Sequence, residues 1–125
     1  MFQILNRYSD IILSYRVKKF EQFGDLFRLG AEVDFLDHSR LIIRETIIGR
    51  FKRKYAYHWQ DKGNKLIIRW DNAPDWDVDT FPHHKHIAGK ENVEPSYERT
   101  LEQVLDVIKR SVHTNLPTNN MNGRE

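Results

Sequence analysis

Three of the six histidines in this 125-residue chain fall within four consecutive positions, in Thr80-Phe81-Pro82-His83-His84-Lys85-His86. Pro82 fixes its own φ and biases Phe81 toward extended backbone, so a strand is expected here, with His84 and His86 on one side and His83 with Lys85 on the other. Two chemistries use such a set. In metal-free phosphodiester cleavage one imidazole takes the proton of the attacking hydroxyl, another protonates the leaving oxygen, and Lys or Arg stabilises charge on the phosphate. Imidazole suits both roles because it titrates near neutral pH. Alternatively, His84 and His86 hold a divalent metal together with a carboxylate such as Asp71, a two-His-one-carboxylate set with open positions. A polar surface loop is the third reading.

Companions for the cluster come from a hairpin just upstream. Residues 52 to 60 and 65 to 71 read as strands joined through Asp61-Lys62-Gly63-Asn64. A two-residue loop, Lys62-Gly63 or Gly63-Asn64, gathers Tyr55, Tyr57, Trp59, Leu66, Ile68 and Trp70 on one face, a core side. The other face then gathers Lys54, Ala56, His58, Ile67, Arg69 and Asp71, whereas a three-residue loop mixes the two sets. His58, Arg69 and Asp71 thus meet on an open sheet surface where the chain leaves for an irregular segment. Taken singly, Arg69 with Asp71 is an ordinary surface ion pair and His58 a packing histidine.

Two nearby patterns carry less. Asp75, Asp77 and Asp79 imitate the first ligand positions of a calcium loop, but the sixth position is Thr80 rather than Gly and the twelfth His86 rather than Glu, which excludes it. Residues 50 to 59 interleave cations with aromatics, a pattern suited to nucleic acid. Because the Tyr and Trp side chains face the core, about half of that pattern is packing, and Lys52 and Lys54 remain available as phosphate contacts.

The elements that position these residues follow from periodicity. Ile4, Leu5, Tyr8, Ile11 and Ile12 predict an amphipathic helix of about three turns. Residues 15 to 23 alternate imperfectly and turn at Gly24-Asp25; Phe27 to Phe35 alternate cleanly; Asp37-His38-Ser39 is a hairpin turn; residues 41 to 48 form a β-branched strand ended by Gly49. Short connections require antiparallel pairing. Asp71-Asn72-Ala73-Pro74 reads as an Asx turn, and residues 72 to 97 lack sustained periodicity. Thr100 and Gln103 make a capping box before a stripe of Leu101, Val104, Leu105, Ile108 and Val112. The expected fold is α+β: a curved antiparallel meander of about five strands, both terminal helices on its aromatic face, and the 72 to 97 segment across the opposite face or one edge. Residues 1–113 are expected to form one domain and 114–125 a flexible tail.

Composition narrows the chemistry. The chain has no cysteine, which excludes a disulfide scaffold, a thiol nucleophile and a thiolate metal site and is compatible with a reducing cytosol. Its apolar runs are too short to span a bilayer, and the amino terminus, with Asn6, Arg7 and Asp10, does not read as a signal peptide. The net charge of +2 conceals asymmetry: residues 1 to 70 hold 14 Lys/Arg against 8 Asp/Glu, and residues 71 to 125 hold 6 against 10.

The series Tyr55-x-Tyr57-His58-Trp59, Arg69-x-Asp71-Asn72-Ala73-Pro74, Thr80 to His86, Val93-Glu94-Pro95-Ser96 and a terminal helix resembles the TumE-like toxins of prokaryotic type II toxin–antitoxin systems. The resemblance covers most of the chain. It implies a small cytoplasmic protein that inhibits growth when free and is neutralised by a cognate antitoxin, usually a DNA-binding protein encoded beside it. One departure stands out: the family's Ala-Pro is often followed by histidines, whereas here Asp75-Trp76-Asp77 follows. The working hypothesis is a toxin that acts on RNA as an endoribonuclease. His84 and His86 are the acid–base candidates, His58 a third imidazole and Asp71 the orienting group, with Arg69, Lys85, His83, Lys54 and Lys52 on the substrate. No cofactor is required by this scheme. The alternatives are a non-catalytic binder of antitoxin, RNA or a translation factor, and a metal-dependent nuclease or transferase using His84, His86 and Asp71. The partners expected are the antitoxin and RNA, with no membrane; a homodimer is allowed for.

Overall fold

A computed structural model describes residues 1–50 and 52–115, Asn115 by its backbone only. Helix α1 (Phe2–Arg7) precedes strands β1 (Ile12–Phe23), β2 (Leu26–Phe35), β3 (Arg40–Ile48), β4 (Lys52–Gln60), β5 (Leu66–Asp71), β6 (His84–Ile87) and β7 (Val93–Pro95), and helix α2 (Leu101–Asn115) closes the described chain. The strands form one curved antiparallel sheet in sequence order, β1 to β7. The meander therefore has seven strands rather than about five. The two extra ones lie within residues 72–97, too short, at four and three residues, to show a period. That segment extends the sheet at the β5 edge.

Helix α1 is shorter than its apolar spacing predicts. It ends at Arg7, turns through Tyr8 to Ile11, and Ile12 already pairs with Phe35. The β-branched Ile11 and Ile12 thus serve the sheet edge instead of a helix, tertiary pairing overriding local period. The imperfect alternation of residues 15 to 23 also has a structural cause, since β1 slips register between Ile12 and Ser14 and between Val17 and Lys19.

One face of the sheet is the core. Leu29, Ala31, Val33 and Phe35 of β2, Leu41 and Ile43 of β3, Tyr55, Tyr57 and Trp59 of β4 and Trp70 of β5 pack with Leu5 of α1 and the predicted α2 stripe, all buried. Each such large side chain stabilises the fold by roughly 1.5–3 kcal/mol relative to exposure. The capping box forms in both directions: Thr100 N–H donates to Gln103 Oε1 at 3.0 Å and Gln103 N–H to Thr100 Oγ1 at 3.3 Å. Of the expected tail, Thr114 and Asn115 belong to α2, and residues 116–125 lie outside the described residues.

The β4–β5 hairpin sets the site. Its loop has three residues, Lys62-Gly63-Asn64, closed by Asp61 N–H to Lys65 O at 2.8 Å, with Asn64 at φ 66° where an Asn tolerates the left-handed region. This is the loop that should mix the faces. A one-residue bulge on β5 compensates, because Trp59 pairs with Ile68 while Gln60 pairs with Leu66. Leu66 and Ile67 therefore exchange the faces expected for them: Leu66 joins His58 on the open side and Ile67 packs against the core. From Ile68 onward the expected register holds, with Tyr57 opposite Trp70 and His58 opposite Arg69.

Candidate active site

Register brings five side chains together on the open face. Asp71 lies directly across from His84, and Arg69 lies between His58 on β4 and His86 on β6. Asp71 Oδ1 stands 2.9 Å from His84 Nε2, Asp71 Oδ2 stands 3.5 Å from His86 Nε2, and the two Nε2 atoms are 3.1 Å apart. All three residues are buried, His84 with 1%, His86 with 5% and Asp71 with 5% of their surface exposed. Such polar burial is costly unless each group is partnered.

The partners are in place. His84 Nδ1 contacts Pro82 O at 2.9 Å and His86 Nδ1 contacts Lys90 O at 2.7 Å. A carbonyl only accepts, so both Nδ1 atoms carry hydrogen and both Nε2 atoms turn to the shared point. Asp71 accepts from Arg69 Nε at 3.1 Å and from Ala73 N–H at 3.0 Å, the second bond being the predicted Asx turn. Asn72 fixes the exit of the chain by accepting from Tyr55 N–H at 3.0 Å and donating to Arg53 O at 2.8 Å.

His58 is half-buried, and Arg69 Nη1 approaches its Nδ1 at 3.3 Å. Arg has only donors, so His58 accepts there and keeps its hydrogen on Nε2. Burial, followed by the positive charge of Arg69, lowers the His58 pKa below the ordinary imidazole value. A pocket of about 380 Å³ opens beside these groups, lined among others by His58, Arg69, Asp71, Trp76, His86 and Lys90; Asp75 also lines it. A second hollow of about 350 Å³ continues along the same face past Arg69 to Lys54 and Arg44. Among the described residues neither of these two cations forms an ion pair, whereas Arg16 and Arg40 are engaged by Glu32 and Asp34.

The remaining expected residues lie elsewhere. Lys85 sits opposite Trp70, on the face away from Asp71. His83 turns to the same side, stacking on Tyr55 with its Nδ1 3.0 Å from the phenol oxygen. Neither side chain is brought to the Asp71 cluster. Lys52 begins β4, exposed, two residues before Lys54 on the same face. Sequence reasoning missed Trp76, whose ring centroid lies 5.5 Å from that of His86 and 6.4 Å from that of His84. It also missed Arg44, which the face argument finds once extended to β3, where Arg44 pairs with Ala56.

Fold and site define an α+β protein with a buried Asp–His–His centre on the open face of an antiparallel meander. The family model described as toxin TumE matches residues 1–112, and the chain belongs to that family. Membership makes it a toxin of a toxin–antitoxin system and implies a cognate antitoxin as partner. No match is found among curated proteins or among solved structures. Among the described residues, no helix is long and apolar enough to cross a membrane.

Proposed function

We propose that this toxin cleaves RNA in the cytoplasm, with Asp71, His84 and His86 as the reactive centre. The observation that carries the reading is the convergence of one carboxylate and two imidazoles, of which Asp71 and His86 line a pocket continued by Lys54 and Arg44, cations with no ion pair among the described residues. Arg69, Lys54 and Arg44 would track the phosphate backbone, with Lys52 further along the strand. His58, whose Nδ1 faces Arg69, would donate its Nε2–H to a phosphate oxygen.

The arrangement refines the role of the two buried histidines. Separate acid and base nitrogens must reach opposite sides of the phosphorus, one at the attacking and one at the leaving oxygen. Here the Nε2 atoms stand 3.1 Å apart on the same side. They act as one unit with Asp71. The test is growth inhibition together with RNA cleavage by purified protein: His84→Gln should abolish both while circular dichroism stays native. Full toxicity and cleavage in that variant would sink the assignment.

A further inference from the structure

We infer that Asp71, His84 and His86 bind one divalent transition-metal ion whose remaining coordination positions open onto the pocket beside Arg69 and His58. The inference deepens the ribonuclease reading and rests on it for the site's use, though not for binding itself.

Three observations lead to it. First, the donor set is complete and aimed. With both Nδ1 hydrogens committed to backbone carbonyls, the two Nε2 atoms and the Asp71 carboxylate face one another at 2.9, 3.1 and 3.5 Å. One proton on His84 Nε2 makes one full hydrogen bond, to Asp71 or to His86, whereas a metal ion satisfies all three donors at once. Second, the spacing fits. Ligand atoms about 2.0–2.2 Å from an ion and roughly at right angles lie about 3 Å apart. Third, the support is the kind that metal-binding histidines have: each ring donates its other N–H to a fixed carbonyl, which sets both tautomer and orientation.

The ligands also come from a rigid source. His84 and His86 are two apart on β6, and Asp71 is the cross-strand neighbour of His84. Two imidazoles with one carboxylate select manganese, iron, cobalt, nickel or zinc over magnesium and calcium, which take oxygen donors. With a single carboxylate in the set and Arg69 alongside, the occupied centre is positive and suited to a phosphodiester oxygen or a water to be activated.

The test uses the full chain, stripped with a chelator and titrated calorimetrically with Mn²⁺, Zn²⁺ and Mg²⁺. The expected result is one Mn²⁺ or Zn²⁺ per chain, no saturable Mg²⁺ binding, and affinity at least about 10-fold weaker in Asp71→Asn and His84→Gln. His38→Gln, remote from the cluster, should bind as the unaltered protein does. A second measurement needs no variant: substoichiometric Mn²⁺ should broaden the imidazole resonances of His84 and His86 and spare those of His38 and His113. Absence of saturable Mn²⁺ or Zn²⁺ binding, or broadening confined to His38 and His113, overturns the site. RNA cleavage at full rate by the stripped protein with chelator present overturns its use. Metal bound but RNA left intact upholds the site and removes the ribonuclease reading alone.

Discussion

The Nε2 atoms of His84 and His86 stand 3.1 Å apart and face the one carboxylate of Asp71. Residues two apart on a strand share a face, and the β5–β6 register sets Asp71 across from His84, so backbone pairing alone fixes the meeting of the three groups.

Asp71→Asn tests the carboxylate with least disturbance. The amide oxygen can still accept from Ala73 N–H, so the Asx turn survives, while the amide nitrogen that replaces Oδ2 cannot accept from Arg69. Loss of that bond costs no more than about 3 kcal/mol. Growth inhibition is expected to vanish with a native dichroism spectrum and a cooperative melt, both measured on the same preparation.

The two faces predict opposite outcomes for lysines close in the fold. Lys85→Ala, opposite Trp70, is expected to leave RNA affinity unchanged. Lys54→Ala or Arg44→Ala is expected to weaken it and to reduce the slope of log affinity against log salt by about one per lost phosphate contact. Filter binding across a salt series separates the cases.

How much of this was legible in the residues depends on whether local pattern or tertiary pairing decides. The faces of β4 and β5 were readable because Tyr57, Trp59 and Trp70 are too large and apolar to lie on the polar side, and they force His58, Arg69 and Asp71 together. The side shared by His84 and His86 followed from period two, and the α2 stripe and its cap from spacing. Leu66 and Ile67 exchange faces through a bulge opposite Gln60, which leaves no mark in composition. Ile11 and Ile12 satisfied a helical period yet pair as strand and turn. Strands β6 and β7 were too short to alternate visibly, and Trp76 reaches the imidazoles from an aperiodic segment whose path no local rule gives.

His58 supplies a spectroscopic check. Burial and the nearby guanidinium hold its pKa below the free imidazole value of about 6.5. The folded state therefore binds this proton less tightly than the unfolded chain, and the group's contribution to stability, full above about 6.5, is lost as pH falls through the lower folded value. An NMR titration should give a His58 midpoint below about 6.5 in the unaltered protein, moving upward in Arg69→Gln. A midpoint at or above that value, or one insensitive to Arg69, contradicts the contact.

The β6–β7 turn carries a strained residue. Ala88 has φ 61°, a region costly for a side chain, while its N–H is held by Ile67 O at 2.9 Å. Ala88→Gly relieves that strain and gives back part of the gain as chain entropy, so stabilisation of about 0.5–1 kcal/mol is expected from urea denaturation. Because this turn leads to Lys90, whose carbonyl orients His86, toxicity should be retained.

The central claim is that the Asp71–His84–His86 centre is what makes the protein act on RNA. End-labelled RNA incubated with purified protein, metal-supplemented, and in parallel with a folded His84→Gln variant, tests it most directly. Discrete cleavage products from the unaltered protein, formed at least about 100-fold more slowly by the variant, are the predicted result. RNA left intact by the unaltered protein, or cut equally fast by both, contradicts it.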